Sequence, residues 1–135
     1  MIIPYLTFHG NCQEAITFYE DVFRTKSAMI QYYDDYQPDD VNPLPDHLSE
    51  WILHAEMKIN DQVVWLADDT NEITQGHQVK LSLVVKTKKE ALEIFSGLSH
   101  EGIVTLPPIE TFYSSCHAAV IDRFGISWHI VAEEK

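Results

Sequence analysis

Residues 51–68 read WILHAEMKINDQVVWLAD. Leu53, Ala55, Met57 and Ile59 alternate with His54, Glu56 and Lys58, the period-two pattern of a strand with one apolar face. Asn60 and Asp61 tolerate the backbone of a tight turn, and Val63 to Ala67 resumes the apolar run. The stretch predicts a β-hairpin. It also returns later in the chain: His54-Ala55 and His117-Ala118 lie 63 positions apart, as do Trp65 and Trp128, so each His precedes a Trp by 11 residues. Self-similarity at a fixed spacing points to a duplicated unit.

Upstream, Ile2 to Phe8 is a short β-branched and aromatic run and predicts a strand. Asn11 and Glu14 read as a capping pair for an amphipathic helix through Ala15, Phe18, Tyr19, Val22 and Phe23. Lys26 to Tyr36 predicts a second strand. Residues 37–50, QPDDVNPLPDHLSE, hold three prolines and four acids and predict a loop. Downstream of the polar stretch 68–78, Val79–Val85 predicts a strand and Lys88–Ser99 a helix. Three further strands are expected near 103–112, 115–121 and 126–132, with Asp122-Arg123-Phe124-Gly125 as the last turn. The helices repeat at another offset, since Glu14-Ala15 matches Glu90-Ala91 and Tyr19 matches Phe95, 76 positions on. The two offsets, 76 and 63, differ by 13, close to the length of the Pro/Asp-rich loop. One insertion in the first half reconciles both.

The expected fold is therefore α+β: a single domain over 1–135, made of two βαβββ modules at about 1–70 and 76–135. Each module curls a four-stranded sheet, and the two sheets are expected to frame a trough. Alternation assigns faces. Trp128, Ile130 and Ala132 should pack against the helix, leaving Ser127, His129 and Val131 toward the trough. His54, Glu56 and Lys58 should face it too, and the repeat places His117 like His54. A concave surface with a few convergent polar groups is the default binding site, so His54, Glu56, His117 and His129 are the ligand-pocket candidates. Against this stand plainer roles: His54 and Glu56 on a solvated sheet face or a dimer interface, His117 as a hydrogen-bonded structural histidine. Glu56 would serve as a general base only if burial raised its pKa.

Bulk composition bounds the partners. With 135 residues, 45% hydrophobic and 22% charged, the chain can bury a core of its own. A formal charge of −12 and nine scattered basic residues argue against nucleic acid and against an anionic membrane surface. No apolar stretch approaches a membrane span. The start, MIIPYLTF, lacks the basic region and cleavage site of a signal peptide, so a cytoplasmic location is expected. Cys12 and Cys116 are too few for a disulfide framework and lack metal-site spacing. Cys12 falls at a helix start, where the dipole could lower its pKa; the plainer expectation is a small residue filling the first turn.

Several motifs together resemble one family. Tyr5-Leu6-Thr7-Phe8-His9-Gly10-Asn11-Cys12-Gln13-Glu14-Ala15 with Phe18-Tyr19 and Val22-Phe23, His54-Ala55-Glu56-Met57-Lys58-Ile59, Leu66-Ala67-Asp68, and Asp122-Arg123-Phe124-Gly125-Ile126-Ser127-Trp128 resemble PhnB-like proteins. These belong to the vicinal-oxygen-chelate superfamily, with glyoxalase I, bleomycin-resistance proteins and extradiol dioxygenases. The resemblance implies a homodimer and a small organic ligand. It also implies, for metal-using relatives, ligands on the first and fourth strands of each half, which transfer here to Pro4, Leu66, Lys80 and His129. Only His129 of these can ligate, so no glyoxalase-type metal site and no cofactor are expected. A rearranged divalent site on His54, Glu56, His117 and His129 would suit Zn, Ni, Mn or Fe. The methyltransferase label carried by some relatives is set aside, because the chain has no Gly-rich loop suited to S-adenosylmethionine. Where relatives carry an aromatic-Trp-Gly stretch near the pocket mouth, this chain has Phe112, Tyr113 and Ser114. Phe112 and Tyr113 join the pocket candidates, since they fit a partly apolar organic ligand.

Three functions follow as expectations. The first is a small-molecule-binding protein, with sequestration of the bleomycin-resistance type as one form of it. The second is a metal-dependent isomerase or lyase acting on a vicinal-oxygen substrate, in which the ion would polarise a carbonyl. The third is a bare structural or interaction module.

Overall fold

The computed structural model describes residues 1–35 and 48–135; the expected loop at 37–50 lies, up to residue 47, outside the described residues. Among the described residues, strands and α-helices follow one another as β1 (Tyr5–Phe8), α1 (Cys12–Phe23), β2 (Ser27–Tyr32), β3 (Ile52–Ile59), β4 (Gln62–Asp68), β5 (Leu81–Val85), α2 (Lys88–Ser99), β6 (Ile103–Ile109), β7 (His117–Ile121) and β8 (Ser127–Ala132). The order is βαβββ twice, and the α+β class with two similar modules stands. The chain divides into two compact units, Met1–Thr74 and Gln75–Lys135.

In the first unit the sheet runs β1-β4-β3-β2, with β1 parallel to β4 and the other pairs antiparallel. Alternation sorts the side chains: Leu6, Phe8, Ala55, Met57, Ile59, Val64 and Leu66 are buried, and Ala15, Ile16 and Tyr19 of α1 are buried with them. At the β3–β4 turn Asn60 and Asp61 take φ of 49° and 68°, the paired left-handed conformation that two-residue hairpins favour.

The second unit repeats the arrangement as β5-β8-β7-β6, with β5 parallel to β8. Leu83, Val85, Ala118, Val120, Trp128, Ile130 and Ala132 are buried, and α2, which packs on β6, β7 and β8, buries Ala91, Ile94 and Leu98. The start of α2 is capped by Thr87, whose Oγ1 accepts from the Glu90 amide at 3.1 Å, the expected geometry of an N-cap. Gly125, at φ 89°, closes the β7–β8 turn, and its amide donates to the Asp122 carbonyl at 2.9 Å.

Several boundaries differ from the sequence reading. β2 ends at Tyr32, where Tyr33–Asp35 coils into a 3-10 turn. β5 begins at Leu81 and β6 ends at Ile109. Residues 111–115 are not strand: the Thr111 and Ser114 backbones bond to each other, and buried Ser114 shares its one Oγ proton between the carbonyls of Cys116 (2.8 Å) and Ala132 (2.7 Å). A hydroxyl with two such acceptors is a structural pin.

The first helix is capped by a residue far away in sequence. Asn11 occupies the N-cap position but makes no side-chain bond there, so the expected Asn11–Glu14 pair does not form. The Asp68 carboxylate does the work instead. Its Oδ1 accepts from the amides of Gly10 (2.8 Å) and Cys12 (3.0 Å), and its Oδ2 from Ile52 (2.8 Å). Asp68 is 3% exposed, so these amides meet little competing water. Hydrogen bonds to a buried charge are the strong kind. Asp68→Ala is expected to lower unfolding stability by about 3 kcal/mol or more, while exposed Glu72→Ala should change it by less than about 0.5 kcal/mol. Urea unfolding of the two variants checks this, and equal small losses would remove Asp68 from its role.

Candidate functional site

In each unit one sheet face carries the helix and the buried apolar set; the other carries the polar and aromatic groups. In the first unit this second face bears Tyr5, His54, Glu56, Lys58 and Trp65. Glu56 lies opposite Trp65 across the β3–β4 ladder, and its Oε1 accepts from the Trp65 indole N–H at 3.0 Å. His54, two residues along β3, meets Trp65 edge-on with ring centroids 5.2 Å apart. Tyr5, paired with Trp65 on the parallel β1, closes the trio at 5.9 Å from Trp65 and 6.0 Å from His54. Mutual T-shaped packing of this kind favours ring edges against ring faces. Tyr5 remains 49% exposed. The trio is a half-open aromatic surface with one carboxylate committed to an indole.

In the second unit the corresponding face bears Ser82, His117 and His129. His129 pairs with Ala119 on β7 and with Ser82 on β5. His117, two residues before Ala119, is its diagonal neighbour, and such neighbours are within reach of long side chains. The two imidazoles meet Nε2 to Nε2, with ring centroids 4.3 Å apart. Each is held from behind by a hydroxyl: Tyr113 Oη lies 2.9 Å from His117 Nδ1, and Ser82 Oγ 3.1 Å from His129 Nδ1. Burial, helped by the neighbouring His117 and Lys80 charges, holds the His129 pKa below its ordinary value. Phe112 stands beside Tyr113 at 5.2 Å and is 94% exposed. Ser127, expected on this face, is buried and bonds through Oγ to His77 Nδ1 at 3.1 Å. His54 and Glu56 thus come together in one unit, and Tyr113, His117 and His129 in the other.

The repeat needs one correction. Leu6 pairs with Leu66, and Leu83 with Ile130, all four buried. The first and fourth strands are therefore related by 77 and 64 positions, while the helices and third strands keep 76 and 63. Trp65 and Trp128 are not equivalents: Trp128 packs in the core, with its indole N–H donating to Asp122 Oδ2 at 2.8 Å. The counterpart of His129 is Trp65, not Leu66, which is wholly buried on the helix side.

This moves the ligand positions implied by the resemblance. Read by strand pairing, they are Tyr5 with Trp65 and Ser82 with His129. An indole has no lone pair to give, and a Tyr–Trp pair together with a Ser–His pair offers one ready donor, the imidazole. These residues do not fit the donor set of a glyoxalase-type divalent ion. Among the described residues, no three His, Cys, Asp or Glu side chains are grouped so as to hold a metal ion.

The cysteines fall outside both faces. Cys12 is wholly buried in the first turn of α1. Desolvation, with the Asp68 charge added, pushes its thiol pKa well up, so burial outweighs the helix dipole and the expected lowering does not occur. Cys116 is buried and also raised, by desolvation, with Lys88 opposing. Thiolate, not thiol, is the reactive form. Neither cysteine of the native protein is expected to react with an aromatic disulfide reagent at pH 8 except through unfolding; fast stoichiometric labelling would contradict this placement.

Among the described residues no helix is long and apolar enough to cross a membrane. Comparison with known proteins agrees with the geometry. The family model for 3-demethylubiquinone-9 3-methyltransferase matches residues 1–131. The structure is similar to protein PA1353 from Pseudomonas aeruginosa, with TM-score 0.84 and 27% identity, covering 100% of this chain and 98% of that one. It is similar to a putative 3-demethylubiquinone-9 3-methyltransferase, PhnB protein, from Bacillus cereus, with TM-score 0.79 and 22% identity over 97% and 98% of the two chains. A glyoxylase/bleomycin resistance protein/dioxygenase domain from Frankia sp. EAN1pec shares the fold at TM-score 0.68 and 13% identity, over 99% and 97%.

Proposed function

Since the chain belongs to the PhnB-like family described as 3-demethylubiquinone-9 3-methyltransferase, within the glyoxalase/bleomycin-resistance superfamily, we propose that it is a metal-free, small-molecule-binding protein. The observation that carries this reading is the composition of the two sheet faces turned away from the helices. One presents three aromatic rings around a carboxylate, the other two imidazoles braced by hydroxyls. Such surfaces suit a partly apolar organic molecule with one or two polar groups. They are not the polar, fully solvated faces of an inert module.

The methyltransferase in the family description receives no support from the residues. The chain has five glycines, none arranged as a Gly-rich loop at a strand–helix junction, where a nucleotide-like cofactor would seat its backbone contacts. Divalent-metal chemistry at the superfamily's strand positions would need donors where Tyr5 and Trp65 stand. Sequestration of an organic compound asks only for a surface and a stable fold, and it needs neither group. A homodimer acting in the cytoplasm completes the proposal, on the strength of the resemblance and of the acidic composition of the chain.

Native mass spectrometry of protein purified without chelators tests the proposal in one measurement. The expected species is twice the 15.5 kDa chain, without a stoichiometric metal, and with room for an organic adduct of a few hundred daltons. A species carrying one zinc, nickel, manganese or iron per chain, lost in His129→Ala, would replace this reading with the metal-dependent enzyme. A monomer alone at micromolar concentration would remove the dimer.

A further inference from the structure

Beyond Ala132 the chain stays bound to the second unit on two sides. The Glu133 amide donates to the Val85 carbonyl at 2.7 Å and the Glu134 amide to the Lys86 carbonyl at 3.0 Å, so the stretch continues alongside the end of β5. On its other side the Glu134 carbonyl accepts from the Ser115 amide at 2.6 Å. The Glu134 side chain turns to α2: its Oε2 accepts from the Lys88 amide at 2.8 Å and lies 3.4 Å from Ser115 Oγ. Thr87 already satisfies the Glu90 amide. Glu134 takes another of the amides that the first turn of a helix leaves unmatched, with the charge that end of a helix favours. One residue thus joins the exit of β5, the start of α2 and the turn at 111–115.

That turn carries part of the candidate site. Phe112 and Tyr113 stand on it, packed edge to face, and Tyr113 Oη reaches His117 Nδ1. Thr111 and Ser114 close the turn through their own backbones. Two ties then lead from it to one stretch of chain, residues 132–134: Ser114 Oγ lies 2.7 Å from the Ala132 carbonyl, and the Ser115 amide bonds to Glu134. The first tie is buried. The second is not, since Ser115 is half-buried and Glu134 exposed. Exposed hydrogen bonds with few buried apolar contacts around them mark the parts of a fold that open first.

We propose that residues 133–134 are a latch. With Glu134 seated on Lys88 and Ser115, the 111–115 turn is held; when Glu134 leaves, the turn is released with it as one cooperative unit. The latch is a property of local stability and stands without any ligand. Its use rests on the small-molecule reading above: it sets where Phe112 and Tyr113 stand beside His117. A ligand that touches Tyr113 favours the seated state, and through it protects the Lys88 amide on the helix side of the sheet.

Amide hydrogen exchange of the full chain, read residue by residue by NMR, tests the latch. In Glu134→Ala the Lys88 amide loses its acceptor outright, whereas Ser115 keeps its own, a backbone carbonyl that the substitution leaves in place. Cooperative release is expected to speed exchange at Thr111, Ser114 and Ser115 by about tenfold along with Lys88, while the β7 and β8 amides keep their protection. Glu134→Gln retains a side-chain oxygen and should recover part of the effect. Glu133→Ala, a change at an exposed side chain outside these bonds, should leave exchange as it is. Acceleration confined to Lys88 would make Glu134 an ordinary helix cap and overturn the latch. Equal acceleration throughout the second unit would show a global loss of stability and overturn it as well. Because the readout needs no ligand, failure of the latch leaves the small-molecule reading in place, and failure of that reading leaves the latch.

Discussion

A strand held between a parallel neighbour and an antiparallel one cannot turn over, and the fourth strand of each unit is held in this way. β4 lies between β1 and β3, and β8 between β5 and β7. Their alternating side chains are thereby committed, one set to the helix and the other away from it. Val64 and Leu66 go inward in the first unit, Trp128, Ile130 and Ala132 in the second. What remains on the far face is then fixed: Trp65 in one case, His129 in the other. Their parallel neighbours, Tyr5 and Ser82, and their neighbours on the third strand of each unit follow from the same register. The candidate site is a consequence of that pairing rather than of any local motif.

The pairing is anchored differently in the two units. In the first, the Asp68 carboxylate ends β4 and gathers three amides from the β1–α1 junction and the start of β3. In the second, Asp122 begins the β7–β8 turn, accepting from the amides of Phe124 and Ile126 and from the Trp128 indole. Both are buried acids with several donors, the condition under which burying a charge stabilises a fold. The duplicated topology thus rests on unrelated polar pins. This fits an old duplication in which hydrophobic patterning survives and the polar anchors do not.

Much of the architecture was legible in the sequence because it is written in local periodicity. The β3–β4 hairpin, both helices and the order of strands follow from alternation, helical spacing and turn residues. The 13-residue difference between offsets also survives, since 77 and 64 differ by the same amount as 76 and 63. What failed was parity. Between equivalent ladder positions the β7–β8 turn holds one residue more than the β3–β4 turn, and a one-residue slip exchanges the faces of a strand. Matching Trp65 to Trp128 by letter therefore joined a partly buried residue to a core residue. The sign of the error was present in the sequence: Leu66 continues an apolar set that His129 does not. The brace of Ser82 on His129 and the cap by Asp68 were out of reach, because each joins residues distant in sequence through hydrogen bonds that no pattern of hydrophobicity records. The placement of the candidate residues was legible to the extent that they sit on alternating strands: His54, Glu56, His117 and His129 all lie on the face turned away from the helix. Phe112 and Tyr113 sit in a turn, where alternation gives no orientation.

The central claim is that ligands meet the faces turned away from the helices, with Trp65 on such a face in the first unit and Trp128 in the core of the second. The most direct measurement is a ¹H–¹⁵N spectrum of the labelled chain, side-chain indole and imidazole signals included, titrated with a fragment set of small aromatic acids and alcohols. The account predicts binders that shift the Trp65 indole or the His117 and His129 ring nitrogens while the Trp128 indole stays in place. Binders that move Trp128 and the α2 amides, leaving Trp65 and both histidines untouched, would contradict it.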